Sequence, residues 1–218
     1  MPTIKYENAA GQRIKGTTGI AKYIDFGSRG ALMGWANKGG RDGKTLQEMY
    51  DTATIPGTIC HHLIESELKN QPPDLIQYSE EDIAKGQTAF DNFHIWCEQF
   101  KFKPVAVEPN LISEVYQYGG TPDVIAEVQG KLTLVDWKTG KNAGKYPEIF
   151  VQLAAYEQLI YENGYGAVEG FHVLRIPRDE DIPSFAHFYW ERLPPEAWEA
   201  FMCALNVCRI TDVLKKYI

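Results

Sequence analysis

Asp123, Asp136 and Lys138 stand at the outer ends of two apolar runs, DVIAEV and KLTLVDWK, that meet at Gln129-Gly130. A hairpin turning at Gln129-Gly130 with an even-length turn sets Val128 opposite Lys131 and, in the same register, Asp123 opposite Asp136. Side chains alternate along a strand, so Leu132, Leu134, Asp136 and Lys138 share one face. Directly opposed residues have Cβ atoms about 4.5–5.5 Å apart. Two carboxylates held so close repel and raise each other's affinity for protons. A divalent cation relieves that repulsion, and oxygen ligands on rigid strands suit Mg²⁺ or Mn²⁺. Lys138 adds an ammonium to the edge of the same site. A lone D-x-K tripeptide reads as strand-end charge in solvent; here two acids in cross-strand register accompany it.

Other elements must position that site. Residues 57–69, GTICHHLIESELK, predict a helix with an apolar stripe of Leu63, Ile64 and Leu68. His61 and Glu65 are four apart and share a different face, while His62 points about 100° away from His61. Residues 79–100 predict a longer helix opened by Ser79 and Asp82, a capping-box variant. Its stripe of Phe90, Phe93, Trp96, Cys97 and Phe100 reads as core. From Pro104 the period shortens, and VAVEPNL, SEVYQYGG, DVIAEV and KLTLVDWK predict strands joined by short turns. Glu108 and Glu114 fall in this run. Tyr146-Pro147 opens a helix, with Pro147 suited to its first position, that carries Gln152 and Tyr156 and stops at Asn163-Gly164. Residues 170–176 and 184–192 predict two more strands, and Pro194 to Tyr217 a closing helix. The pattern predicts an α/β or α+β fold with a central mixed sheet flanked by helices. We expect one domain over 1–218: a core of about 57–192, an N-terminal helical and loop extension over 1–56, and the C-terminal helix 194–217.

Composition narrows the class. The chain has 218 residues, 44% hydrophobic and 23% charged, with a formal net charge of −7. That balance argues against nonspecific coating of nucleic acid by bulk charge, though a carboxylate-rich metal site itself makes a chain acidic. No run is long and apolar enough for a membrane span, and MPTIKYENAAGQRIKG lacks the apolar stretch of a signal peptide, so the expectation is cytosolic with no membrane partner. None of the four cysteines, Cys60, Cys97, Cys203 and Cys208, forms a CxxC pair. GGRDGKT, Gly39 to Thr45, departs from a phosphate loop because Gly39 is one residue too close to Gly43; it reads as a loop after a short helix near Ala31–Lys38.

Taken together, these motifs resemble the PD-(D/E)xK nuclease superfamily, and in particular its RecB-like branch of exonucleases in a stand-alone, phage-type form. Pro122-Asp123 followed by Asp136-Trp137-Lys138 is the literal motif. GTICH, Gly57 to His61, resembles the upstream G-x-x-x-H helix motif. YGGTPD resembles the entry to the first acidic strand, DWKTG the D-x-K-T strand end, and QLAAY, Gln152 to Tyr156, the downstream Q-x-x-x-Y helix motif. The resemblance implies a restriction-endonuclease-like core with a four- or five-stranded mixed sheet and a metal site at one end. It implies that His61, Asp123, Asp136 and the Trp137 backbone carbonyl hold one or two Mg²⁺ or Mn²⁺ ions. Lys138 would position the attacking water and stabilise transition-state charge. Glu108 is the candidate for a second ion, with Glu114 a weaker one, and Glu65 is a candidate to orient His61. Gln152 and Tyr156 would support the site or contact the DNA backbone, and Lys141 and Lys145 would grip phosphates. Some relatives hold an iron–sulfur cluster through one cysteine before the core and three after it; the cysteines here do not fit, so no cluster is expected. The implied activity is metal-dependent hydrolysis of DNA phosphodiesters, with exonuclease action in recombination, repair or end processing. A structure-specific or nicking endonuclease and a non-catalytic nucleic-acid-binding protein of the same fold are the alternatives. The implied partners are DNA and either a recombination protein or further copies of the chain.

Overall fold

The computed structural model describes residues 5–24, 28–139, 146–176 and 185–218. In chain order the elements are β1 (Tyr6–Glu7), β2 (Arg13–Gly16), α1 (Thr17–Ala21), α2 (Ser28–Arg41), α3 (Leu46–Leu68), α4 (Glu80–Phe100), β3 (Phe102–Val107), β4 (Leu111–Ser113), β5 (Tyr118–Gly120), β6 (Val124–Val128), β7 (Lys131–Thr139), α5 (Glu148–Glu162), β8 (Phe171–Ile176), β9 (Ala186–Trp190) and α6 (Pro195–Leu214), closed by a short 3₁₀ turn, Lys215–Tyr217.

The central sheet is mixed and five-stranded, in the order β3-β6-β7-β8-β9. β6 and β7 pair antiparallel in the predicted register, with Val128 opposite Lys131 and Val124 opposite Val135. Both turn residues, Gln129 and Gly130, have left-handed φ of 53° and 84°, as a two-residue hairpin with the native twist requires. β7 and β8 are parallel, so the C-terminal ends Thr139 and Ile176 lie side by side. Alternation along these strands splits the core in two. Ile125, Leu134 and Val173 face α5 and α6, whose Leu153, Leu159, Phe201 and Leu205 are buried against them. Val124, Ala126, Val135, Trp137 and Leu174 face α3 and α4 through Cys60, Ile64, Phe93 and Trp96. The aromatic stripe of α4 is thus core, as its spacing predicts. The fold is α+β, a mixed sheet between helical layers. Among the described residues, no helix is long and apolar enough to cross a membrane.

Several boundaries differ from the sequence expectation. α3 begins at Leu46, not at 57, because Thr45 and Glu48 form a reciprocal capping box. Pro56-Gly57 looks like a helix start but lies buried inside the helix. The boundary expected between an extension and the core therefore falls mid-helix. α2 is longer than the short helix expected near Ala31–Lys38, and GGRDGKT straddles its last turn and the α3 cap. SEVYQYGG is a tight connection followed by β5: the Ser113 hydroxyl accepts from the Tyr116 amide at 2.8 Å, and Gln117 takes a left-handed φ of 51°. Pro147 is the N-cap of α5, one position before the helix.

β4 and β5 belong to a second sheet of four strands, ordered β1-β2-β5-β4. Residues 6–21 are thus built into the fold: β2 pairs parallel with β5, and Ile20 of α1 is fully buried in the core on the α5 side. Tyr118 ties this sheet to α5 by donating to the Ala155 carbonyl at 2.8 Å.

Candidate active site

α3 runs across one end of the central sheet. Gly57 abuts β7, where a Cβ on the glycine would come within 2.2 Å of the Thr139 hydroxyl oxygen. One turn on, His61 lies with Nδ1 3.8 Å from Asp123 Oδ1 and beside the Trp137 carbonyl. A further turn on, Glu65 comes beside Glu108 just past the end of β3. Successive same-face positions of one helix therefore meet β7, β6 and β3 in turn, which explains the GxxxH spacing.

Asp123 immediately precedes β6, one step beyond the Val124–Val135 pair. Its Oδ2 accepts from the Trp137 amide at 2.9 Å, and its carbonyl accepts from the Glu108 amide at 2.9 Å. Asp136 is 2% exposed. The Lys138 ammonium donates to its Oδ1 at 2.8 Å and stands 2.7 Å from Oδ2. No hydrogen bond is directed at Oδ2, which leaves a buried carboxylate oxygen without one. Such oxygens are rare without a functional cause. On the same face, Gln152 donates to the Tyr156 hydroxyl at 3.0 Å. Tyr156 is close enough to Lys138 for each to shift the other's titration.

Burial and mutual charge set the protonation states. Burial pushes the Asp136 carboxyl up to about 6 against the pull of Lys138, with Asp123 adding to the rise. Burial also raises Asp123, while Lys138 and the Trp137 amide oppose it. For Lys138 the balance reverses: burial lowers it, yet Asp136 and Asp123 together carry it above its usual value. Burial, reinforced by the Lys138 charge, pushes His61 down to about 4, so its imidazole is neutral at neutral pH and able to act as a ligand. Burial and the neighbouring Glu65 and Asp123 raise Glu108 to about 7. Two acids, a neutral imidazole and a backbone carbonyl thus converge on one sheet end, with a permanent cation beside them.

The donor set is oxygen-rich with one nitrogen, which fits a hard divalent cation, and the unbonded Asp136 Oδ2 is an oxygen available to it. Among the described residues, no three Asp, Glu, His or Cys side chains stand preassembled at ligand distance: Asp136 is drawn to Lys138 and His61 to the Trp137 carbonyl. Of the other predicted residues, Glu108 and Glu65 join the site. Glu65 also pairs with Lys69 at 2.6 Å. Glu114 does not reach the site; in the second sheet it accepts from the Ala9 amide at 2.7 Å. His62 turns away and accepts from the Asp74 amide at 3.1 Å. Lys141 and Lys145 lie outside the described residues. Sequence reasoning missed two contacts. Tyr6 hydrogen-bonds Thr121 at 3.0 Å, two residues before Asp123, and Gly57 meets Thr139. Only the second left a trace in the sequence, as the glycine of GTICH.

A family model of the PD-(D/E)XK nuclease superfamily matches residues 44–200. Human mitochondrial genome maintenance exonuclease 1 is 23% identical over 176 residues, which cover 77% of this chain and 48% of that protein. The chain thus spans about half the length of that curated relative. Similar solved structures include a putative exonuclease from Eubacterium rectale, 12% identical over 75% of this chain and 69% of that one, with a TM-score of 0.48. Another is LHK-Exo in complex with dAMP, 13% identical over 74% and 82%, with a TM-score of 0.43. The family match takes in α3, the central sheet and α5, every element that carries the site, and the chain belongs to the PD-(D/E)XK nuclease superfamily.

Proposed function

We propose that the chain is a divalent-metal-dependent deoxyribonuclease that degrades DNA from its ends. The observation that carries this reading is the convergence of Asp123, Asp136 and Lys138 at one sheet end, beside the neutral imidazole of His61 and the Trp137 carbonyl. Superfamily membership supports a nuclease, and members generally use divalent metal ions. The human relative, an exonuclease by name, favours action at ends.

Asp123, Asp136, His61 and the Trp137 carbonyl would hold Mg²⁺ or Mn²⁺, with Glu108 the candidate for a second ion. Such an ion, when bound, would supply Lewis acidity toward the scissile phosphate and the attacking water. The chain's own groups do the rest. Asp123, fixed by the Trp137 amide, keeps one carboxylate edge turned toward the site. Lys138 stays protonated, so it acts through its charge and its N–H donors: it orients a water and offsets negative charge growing on the phosphoryl oxygens. Tyr156, held by Gln152, stands near Lys138 and would flank a phosphate bound there. The 29% exposure of the Lys138 side chain leaves it a route to solvent.

The test incubates end-labelled linear DNA and covalently closed circular DNA with Mg²⁺, with Mn²⁺ and with chelator, beside Lys138→Ala protein. The expected result is metal-dependent loss of linear DNA only, reduced at least about a hundredfold in the variant. Cutting of the closed circle would replace this reading with an endonuclease. Activity that survives Lys138→Ala would remove the site from the chemistry.

A further inference from the structure

The N-terminal half of α3 has no role in the site just described, and neither does α2. Between Glu65 and Gly57, α3 passes from β3 to the end of β7. Running on in the same direction, residues 46–56 carry it about 16 Å further, past Thr139 and along the catalytic edge. α2 packs back on this overhang. Gly39 lies so close to α3 that a Cβ would overlap Met49, and Trp35 meets Tyr50 edge-on at 5.4 Å. Otherwise α2 stands open. Leu32 is 48% exposed and Met33 73%, and nothing lies within 4 Å of where side chains would start on Gly30, Gly34 and Gly40.

Its chemistry is unlike the rest of the chain. In a protein of net charge −7, α2 contains no acid and ends with Lys38 and Arg41. Lys44 follows in the loop. Lys38, Lys44 and Trp35 line a cleft of about 310 Å³ between the two helices, with Asp42 the acid among its lining residues. Cations beside the half-buried Trp35 and the exposed Tyr50, Leu32 and Met33, on a backbone that glycines leave open to close approach, match what an unpaired nucleic-acid strand offers. Its phosphates meet lysine and arginine, and its bases, whose faces no partner strand covers, meet Trp35, Tyr50 and Met33.

We propose that α2 and the overhanging half of α3 bind a single-stranded stretch of nucleic acid and lead it to the Asp136–Lys138 edge. This rests on the nuclease reading for the destination of the strand; the binding is measurable without it. The same surface acts as a guide that compensates locally for the acidic chain.

The test measures anisotropy of a fluorescein-labelled deoxythymidine strand of about twenty nucleotides, against a blunt duplex of equal length, with the full chain in chelator over a range of salt. We expect the single strand to bind more tightly than the duplex. Lys38→Gln, Arg41→Gln and Lys44→Gln combined should weaken it at least about tenfold and lower the slope of log affinity against log salt by about two, near 0.7 per lost contact. Trp35→Ala should weaken it about tenfold with the slope unchanged, as loss of stacking does. Asp42→Asn should tighten it. Wild-type affinity in the triple variant, or tighter binding of duplex, would overturn the proposal. Because chelator stops cleavage, a chain that binds as expected but never cuts DNA would sink the nuclease reading and leave this surface standing.

Discussion

Asp136 shows the tension that a buried carboxylate builds into a fold. It is buried, one of its oxygens lacks a directed hydrogen bond, and Lys138 is the cation at hand. Burial outweighs that cation, and the carboxyl titrates near 6, above its unfolded value of about 3.9. A carboxyl raised on folding stabilises the native state below its unfolded pKa, and that contribution disappears as pH rises through 6. The ionised form present at pH 7 is the form a divalent cation needs. We therefore expect Mg²⁺ or Mn²⁺ to raise the melting temperature at pH 7.5 and to do so progressively less as pH falls to 5, where the proton competes. Asp136→Asn should lose most of the metal-induced shift and melt higher than wild type in chelator, since the ionised burden is gone. Scanning calorimetry of both proteins across that range decides it. A metal shift that is independent of pH, or that survives intact in Asp136→Asn, would show that Asp136 is not where the cation sits.

At the scale of elements, the site depends on how closely α3 rests on β7. Gly57 is buried against Thr139, and it also fixes where His61 falls one turn later. A methyl group there must rotate Thr139 or lift the helix. We expect Gly57→Ala to lower turnover about tenfold, in keeping with the sensitivity of catalysis to sub-ångström displacement, and Gly57→Ala with Thr139→Ala to recover most of it. Steady-state rates of the two variants test this; equal defects in both would mean that the contact does not set the helix height. What the sequence disclosed follows the same logic. The hairpin register was legible because period-2 alternation and a Gln-Gly turn leave one pairing that keeps both apolar sets buried. The His61–Glu65 face was legible because helical spacing is local. The start of α3 was not, because Pro56-Gly57 imitates a helix boundary, while the Thr45–Glu48 box precedes a weakly periodic, exposed half-helix. The partition of strands between two sheets was not legible either, since β2 pairs with β5 about a hundred residues later in the chain, a contact no local pattern encodes.

At the scale of the whole molecule, that long-range pairing changes what the first residues are for. The Tyr6 ring lies over Gly16 and Gly119, leaving no room for a Cβ on either, and its hydroxyl reaches Thr121 at 3.0 Å. Thr17 donates to the Gly119 carbonyl at 3.0 Å, and Ile20 is fully buried in the cluster that holds Tyr118, Tyr156 and Phe201. The second sheet thus clamps Tyr118 to Thr121, the segment that delivers Asp123 to the site, from the side opposite α3. Residues 6–21 lie ahead of the span matched by the family model, yet by this geometry they buttress the segment that leads to Asp123. Ile20→Ala removes a buried side chain from a closed cluster, so it should destabilise the protein by about 3 kcal/mol, read as a lower urea midpoint with an unchanged slope. In the same variant, Asp123 is the site carboxylate with the weakened support. Turnover should therefore fall even at urea-free, fully folded conditions, while the binding of single-stranded DNA to α2 in chelator holds at the wild-type level. A midpoint equal to wild type would make this segment an appendage; a lower midpoint with undiminished turnover would confine its role to stability and leave the positioning of Asp123 to α3 and β7 alone.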